Sequence, residues 1–197
     1  MAAKRIGERV AHDAALSAAL KQSREKLHVL NVYYVPNGTM KPLAHMAPFF
    51  SRFPELAARE TRTISLLQPH AGLPAGDYGF LELYCNEPTC DCRRVLFQVC
   101  RADRPNKVLA TINYGWESED FYAQWLHGDR ESARELAEAS LDPLNPQSKL
   151  SPALLEVFRH ILLQDPAYVD RLRRHYRMFK RAQRGSAPAL TSSIPPV

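Results

Sequence analysis

Short runs rich in β-branched and aromatic residues fill the middle of the chain. They follow one another with turn-forming residues between them, at residues 61–67, 78–84, 94–101 and 108–114. In the third run, the apolar side chains of Val95, Phe97 and Val99 recur at every second position, so they lie on one face of a strand. The pattern predicts an antiparallel β-meander of about four strands.

Helical spacing replaces this alternation after Gly115. Ser118 precedes two acidic residues and an apolar stripe, which predicts a helix that is capped by Ser118 and ends near Gly128. A short acidic helix is expected next, over residues 130–139, with Asp129 as its cap. The proline-rich residues 142–146 interrupt the helical pattern.

Two further helices are indicated by a capping residue followed by proline. Ser151-Pro152 and Asp165-Pro166 are both typical helix starts, and apolar residues recur at helical spacing after each. We expect these helices to form an antiparallel pair on the sheet. The predicted fold class is therefore α+β: a meander packed against C-terminal helices, with an N-terminal helical arm.

The two ends of the chain differ from this central part. Residues 2–26 indicate a basic helix and residues 29–35 a strand, whereas residues 42–54 contain several prolines and follow no regular pattern. We therefore divide the chain into an N-terminal helix and irregular arm (1–55), a single α+β domain (56–184) and a tail expected to be disordered (185–197).

Composition narrows the class of protein. The chain has 197 residues, of which 45% are hydrophobic and 24% charged, as in a globular domain. The N-terminus has no apolar segment typical of a secretory signal, and no run of 18 apolar residues predicts a membrane span. We expect a cytoplasmic protein. The net charge of +5 permits, but does not indicate, an anionic partner such as nucleic acid.

Three of the four cysteines are concentrated between the second and third predicted strands. Cys85, Cys90 and Cys92 lie within eight residues, and Pro88 favours a turn that brings them together. In a reducing compartment, closely spaced thiolates favour zinc, which binds sulfur at about 2.3 Å in a tetrahedral site. The sequence therefore predicts a zinc site with these three ligands.

The sequence does not identify the fourth ligand. Cys100 is a poor candidate, because eight residues of strand would place it about 26 Å from Cys92. His70, in the loop before the second strand, or the local carboxylates of Glu87 and Asp91 could complete the site. Water at an open position is the other possibility, and an open position is typical of catalytic zinc.

Two other interpretations of the cysteines involve no metal ion. Cys85 could form a redox-sensitive disulfide with Cys90 or Cys92, with Arg93 and Arg94 lowering the pKa of a neighbouring thiol. Alternatively, the three residues are inert thiols. A C-x4-C-x-C spacing is less diagnostic than two C-x2-C pairs.

Several segments resemble a group of uncharacterised bacterial proteins. The resemblance covers about residues 59–179, including the Cys85-x4-Cys90-Asp91-Cys92-Arg93-Arg94 segment and residues 59–62, 111–117 and 175–179. It implies a bacterial source and a shared cysteine site. It implies no reaction, because the function of that group is not known.

The last predicted helix is strongly basic. Arg173, Arg177 and Arg181 are candidate contacts to nucleic-acid phosphates, although cations near a helix C-terminus also stabilise the helix itself. No phosphate-binding loop, dinucleotide-binding motif or serine-hydrolase elbow is present in the sequence. We therefore favour a zinc-stabilised binding or interaction domain. The alternatives are a metal-dependent enzyme, with Glu117 or Asp91 as acid or base, and a thiol redox sensor.

Overall fold

A computed structural model describes residues 45–145 and 147–185. Over this part of the chain, six antiparallel strands form one sheet that packs with five α-helices, so the predicted α+β class is confirmed. The predicted N-terminal helix (2–26), the strand (29–35) and the tail from residue 186 onward lie outside the described residues. None of the helices described is both long and apolar enough to cross a membrane.

The four predicted strands form the meander as expected. They are β2 (Arg62–Leu66), β3 (Gly76–Cys85), β4 (Arg94–Arg101) and β5 (Arg104–Gly115), and each pairs with the next. Two short strands extend the sheet: β1 (Met46–Pro48) pairs with the C-terminal end of β3, and β6 (Ser140–Leu141) pairs with β5. β1 lies in the segment predicted as an irregular arm, so part of that arm belongs to the sheet.

Five α-helices are described, and the four that follow β5 lie close to their predicted positions. They are α1 (Pro54–Glu60), α2 (Glu119–Trp125), α3 (Arg130–Glu138), α4 (Ser151–Val157) and α5 (Pro166–Gly185). The Ser118 and Asp129 side chains accept hydrogen bonds from the Phe121 and Ser132 amides, which confirms both predicted caps. A 3-10 turn, Phe49–Ser51, follows β1, and α4 continues as a π-helical segment, Phe158–Leu162.

Ser151 differs from its predicted role as an N-cap. It is the first residue of α4 and is almost fully buried, and Leu150 precedes it as the cap. Its hydroxyl donates to the Leu109 carbonyl oxygen at 2.8 Å and so joins the helix to β5. The hydroxyl is used for a tertiary hydrogen bond because α4 begins directly against the sheet.

One face of the sheet carries the main core. Alternate side chains of β3, β4 and β5 point to this face and pack against the segments that follow β6 in the chain. Phe158 lies at the centre, with ring centroids 4.8 Å from Phe97 and 6.1 Å from Phe80. Leu172 and Phe179 of α5 are fully buried in the same cluster.

A smaller apolar cluster lies away from this core, at the end of the β3–β4 hairpin. Leu83 and Leu96, which face each other across the two strands, pack there with Met46, Cys85 and Cys92. The cysteines thus lie where three strands, β1, β3 and β4, come together.

Gly115 ends β5 at the point where α2 packs against the hairpin. A Cβ atom at this position would overlap the hydroxyl and ring of Tyr122, whose hydroxyl donates to the Arg93 carbonyl oxygen at 2.7 Å. Glycine is therefore required here by close approach. The contact joins α2 to the residue that follows Cys92.

We expect Gly115→Ala to lower the free energy of unfolding by about 1–3 kcal/mol, because Tyr122 must move to admit the methyl group. Urea denaturation measures the change. Gly79→Ala is the matched control, since nothing lies within 4 Å of a Cβ atom built at Gly79. Equal effects of the two substitutions would contradict this account of Gly115.

Candidate metal centre

The structure brings the three predicted cysteine ligands together. Their Sγ atoms all lie within 4.8 Å of one another, at the end of β3 and in the loop that joins β3 to β4. Cys85 and Cys92 are buried, at 5% and 1% exposed, whereas Cys90 is partly exposed. The cluster is therefore open to its surroundings on the side of Cys90.

A tight turn in the loop explains why the cysteines converge. The Cys90 amide donates to the Glu87 carbonyl oxygen at 3.2 Å, which closes a four-residue turn with Pro88 at its second position. Proline favours that position because its ring fixes φ near the value that the turn needs. On the other side of the loop, the Asn86 amide donates to the His45 carbonyl oxygen at 2.7 Å and so extends the pairing of β1 with β3.

Arg93 completes the loop in an unusual backbone conformation. Its φ angle is +44°, a left-handed value that is uncommon for residues other than glycine. The Tyr122 hydroxyl holds its carbonyl oxygen, and its guanidinium donates to both carboxylate oxygens of Asp91 at 2.8–3.2 Å. These contacts fix the turn directly after Cys92, and a left-handed arginine has no recognisable signal in the sequence.

The distances between the sulfur atoms suit a metal ion. In a tetrahedral site with Zn–S bonds of about 2.3 Å, neighbouring sulfurs are about 3.8 Å apart. The cysteines need to approach one another by no more than about 1 Å from their present separation of at most 4.8 Å. The residues present therefore fit a thiolate-bound metal ion, which the three cysteines would hold.

The thiols differ in acidity. The pKa of Cys85 is lowered to about 5, chiefly because the Cys92 thiol donates a hydrogen bond to its sulfur, although burial acts in the opposite direction. The Glu87 amide, 3.5 Å from the same sulfur, contributes to this lowering. The pKa of Cys92 is raised because its thiol is the donor to Cys85, and burial raises the pKa of Cys90. These contacts therefore favour ionisation of Cys85 over that of the other two thiols.

The structure does not bring His70 to the cluster. His70 lies in the turn between β2 and β3, where its backbone pairs with Leu73. β3 then runs from Gly76 to Cys85, nine steps of about 3.3 Å each, so the turn and the cluster lie about 30 Å apart at opposite ends of the strand. The expectation that His70 completes the site is not met.

The other candidates for a fourth ligand also lie outside the group of converging atoms. The converging group includes neither the Glu87 nor the Asp91 carboxylate, and the Asp91 carboxylate is occupied by Arg93. Hydrogen bonds from Arg93 lower the pKa of Asp91 below its usual range. Cys100 is buried beside Gly79 in the sheet, outside the cluster, and burial raises its pKa to about 11.

Helix α5 braces the cysteine loop with three side chains spaced one turn apart. The Tyr176 hydroxyl donates to Asp91 at 3.2 Å, the Lys180 ammonium donates to the Glu87 carbonyl oxygen at 2.5 Å, and the Gln183 amide lies 3.5 Å from Asn86. All three residues are buried. Three positions of the loop, Asn86, Glu87 and Asp91, are therefore held against α5.

The basic residues of α5 fall into two groups. Arg173 donates to Asp170 and to the Trp116 carbonyl oxygen, so it is engaged within the domain. Arg177 and Arg181 are exposed, and Arg184 follows one turn later with the same exposure. Within the described residues, these three side chains form no ion pair or hydrogen bond.

A buried charge network that sequence reasoning missed lies beside the main core. The two ring nitrogens of His175 lie 2.7 Å from a Glu82 carboxylate oxygen and 3.0 Å from a Glu60 carboxylate oxygen. The imidazole therefore bridges the two carboxylates through its two ring nitrogens. Arg171 and Tyr84 also contact Glu82, and Arg174 forms an ion pair with Glu60.

The network ties three separate elements together. Glu60 belongs to α1, Glu82 to β3 and His175 to α5, and the Phe49 ring stacks on the imidazole at 4.2 Å. A hollow of only about 10 Å³ lies next to it, far below the roughly 300–1,000 Å³ typical of ligand pockets. No motif in this sequence indicates the contacts of His175 with residues more than 90 positions away. The recognisable signal was Glu82, a glutamate at a core-facing position of β3.

The fold and the site together define an α+β domain that carries a three-cysteine cluster on a β-hairpin. Comparison with protein-family models, with curated proteins and with solved structures finds no match to this chain. The functional interpretation therefore rests on geometry and chemistry alone.

We expect Glu82→Gln to lower the free energy of unfolding by about 3 kcal/mol, because it leaves buried positive charge without its main partner. Urea denaturation measures this loss. Glu156→Gln is the control, since its exposed carboxylate pairs with Arg159 and His160 at the surface and its loss should cost less than about 1 kcal/mol. Losses of similar size would show that Glu82 is not needed to balance buried positive charge.

Proposed function

We propose that the protein is a zinc-stabilised binding domain in which Cys85, Cys90 and Cys92 hold the metal. The convergence of three sulfur atoms within 4.8 Å on one hairpin carries this proposal. Zinc is the metal of choice because a set of closely spaced thiolates favours it over the hard cations, which prefer oxygen ligands. Bound zinc would supply a fixed cross-link between the end of β3 and the start of β4.

The surroundings of the cluster favour binding over catalysis. The two carboxylates considered as acid or base, Asp91 and Glu117, both face the Arg93 guanidinium, at 2.8 and 3.4 Å. For Asp91, hydrogen bonds from Arg93 lower the pKa, which makes this carboxylate a weak base. The alternative is still a metal-dependent enzyme. In that case Asp91 or Glu117 would have to leave Arg93 when substrate binds.

The partner that best suits the exposed surface is anionic. Arg177, Arg181 and Arg184 are spaced by four and three residues, so they form one stripe along α5. The stripe lies about 100° around the helix from Tyr176, Lys180 and Gln183, which brace the cysteine loop. We infer that the stripe contacts nucleic-acid phosphates, while the metal-bound hairpin keeps the helix in place.

Purified wild-type protein is expected to contain about one zinc ion per chain, and Cys90→Ser is expected to lose most of it. Elemental analysis measures the metal content. Cys100→Ser is the matched control, because Cys100 is a buried thiol outside the cluster.

A well-folded wild-type protein without metal would refute the zinc site. If that protein also contained a disulfide between two of the three clustered cysteines, the redox-sensor alternative would replace the present proposal. Retention of zinc by Cys90→Ser would show that the ion is bound elsewhere.

Replacing Arg177, Arg181 and Arg184 together by glutamine is expected to weaken binding to duplex DNA and to lower the salt dependence of binding. The slope of log K against log salt should fall by about 2–3, because each phosphate contact contributes about 0.9. Fluorescence anisotropy at several salt concentrations measures both quantities.

The control variant replaces the exposed cations Arg104, Lys107 and Lys149 by glutamine, which changes the net charge by the same amount. Equal losses in the two triple variants would mean that net charge alone attracts DNA. Undetectable binding by the wild type would remove nucleic acid as the partner.

A further inference from the structure

Lys180 is a charged residue buried beside the cysteine loop. Its residue exposure is 6%, and its ammonium donates to the Glu87 carbonyl oxygen at 2.5 Å. Removing an ammonium from water costs several kcal/mol, and a single neutral carbonyl offsets only part of that cost. A buried lysine therefore needs negative charge nearby.

The carboxylates of the domain do not supply that charge directly. Within the described residues, Lys180 forms no ion pair with an aspartate or glutamate. Asp91 is close enough to sense the ammonium, but Arg93 and Tyr176 already hold its carboxylate. The thiolates of a metal-bound cysteine cluster would supply the missing charge, since Glu87 contacts both the Lys180 ammonium and the Cys85 sulfur.

The Glu87 carbonyl group links Lys180 of α5 to the metal-binding loop. This oxygen accepts from both the Cys90 amide and the Lys180 ammonium, so it joins the turn between two cysteine ligands to α5. The Glu87 amide faces the Cys85 sulfur at 3.5 Å. The ammonium is thus directed at the loop by the same residue that positions its turn.

We propose that Lys180 is the counter-ion of the metal centre and a positioning residue for its loop. Three thiolates and one divalent cation carry a net charge of −1, and the buried ammonium neutralises it. Groups around metal ligands commonly change metal affinity by about 10–100-fold when they are removed. This inference rests on the proposed zinc site and adds to it the residue that balances its charge.

Lys180→Gln tests the proposal, because glutamine can still donate a hydrogen bond to Glu87 but carries no charge. We expect it to bind zinc about 10–100-fold more weakly than the wild type in competition with a chromophoric chelator. Lys180→Arg, which keeps the charge, should recover at least half of that loss on a logarithmic scale. Arg181→Gln is the matched control: it removes one positive charge from the neighbouring, exposed position and should change the affinity less than about twofold.

Spectra of the cobalt-substituted proteins show whether the three thiolates still bind the metal in each variant. Circular dichroism shows whether each variant is folded. If the glutamine variant does not fold, Lys180→Met, which fills similar space without charge, takes its place. Unchanged zinc affinity in the neutral variant overturns the counter-ion role, and so does an equal loss in the neutral and arginine variants. A wild type that binds no zinc refutes the proposed function instead, so the two failures are distinguishable.

Discussion

The register between β3 and β4 is the constraint on which the cysteine site depends. Leu83 faces Leu96 across the pair, and this alignment places Cys85 and Cys92 in the same small apolar cluster. A shift of one residue would turn every side chain of one strand to the opposite face of the sheet. The site is therefore positioned by sheet pairing and by the main core that fixes the register. The eight residues that connect β3 to β4 only have to bring Cys90 close to the other two cysteines.

Buried charge is the second feature that distinguishes this domain from an ordinary α+β fold. His175 and Lys180 stand on the same helix, and each makes a buried polar contact near the C-terminal end of β3: His175 with Glu60 and Glu82, Lys180 with the cysteine loop. Buried charges contribute little net stability when paired, but breaking a pair is costly. The two contacts therefore specify where α5 lies along the sheet more than they stabilise it.

The sequence predicted the features that depend on local signals. Strand alternation located β2 to β5, and the Ser118 and Asp129 side chains marked the starts of two helices. The two short strands carry too few residues for alternation to be recognised, so β1 and β6 were missed. The glutamates that flank His175 could not be matched to it, because such a contact is set by packing. His70 was misplaced for the same reason: loops adjacent in sequence lie at opposite ends of one strand.

The position of the cluster limits what metal loss can do to the fold. The main core, with Phe97, Phe158 and Phe179, lies away from the cysteines, and the loop is already closed by its own turn and by α5. This differs from a zinc finger, in which the metal replaces the core and the free peptide is unfolded. In the present domain a bound metal would add a cross-link to a preformed loop. Its main effect would therefore be on the order of the hairpin and of the C-terminal part of α5, where Lys180 lies close to the exposed arginines.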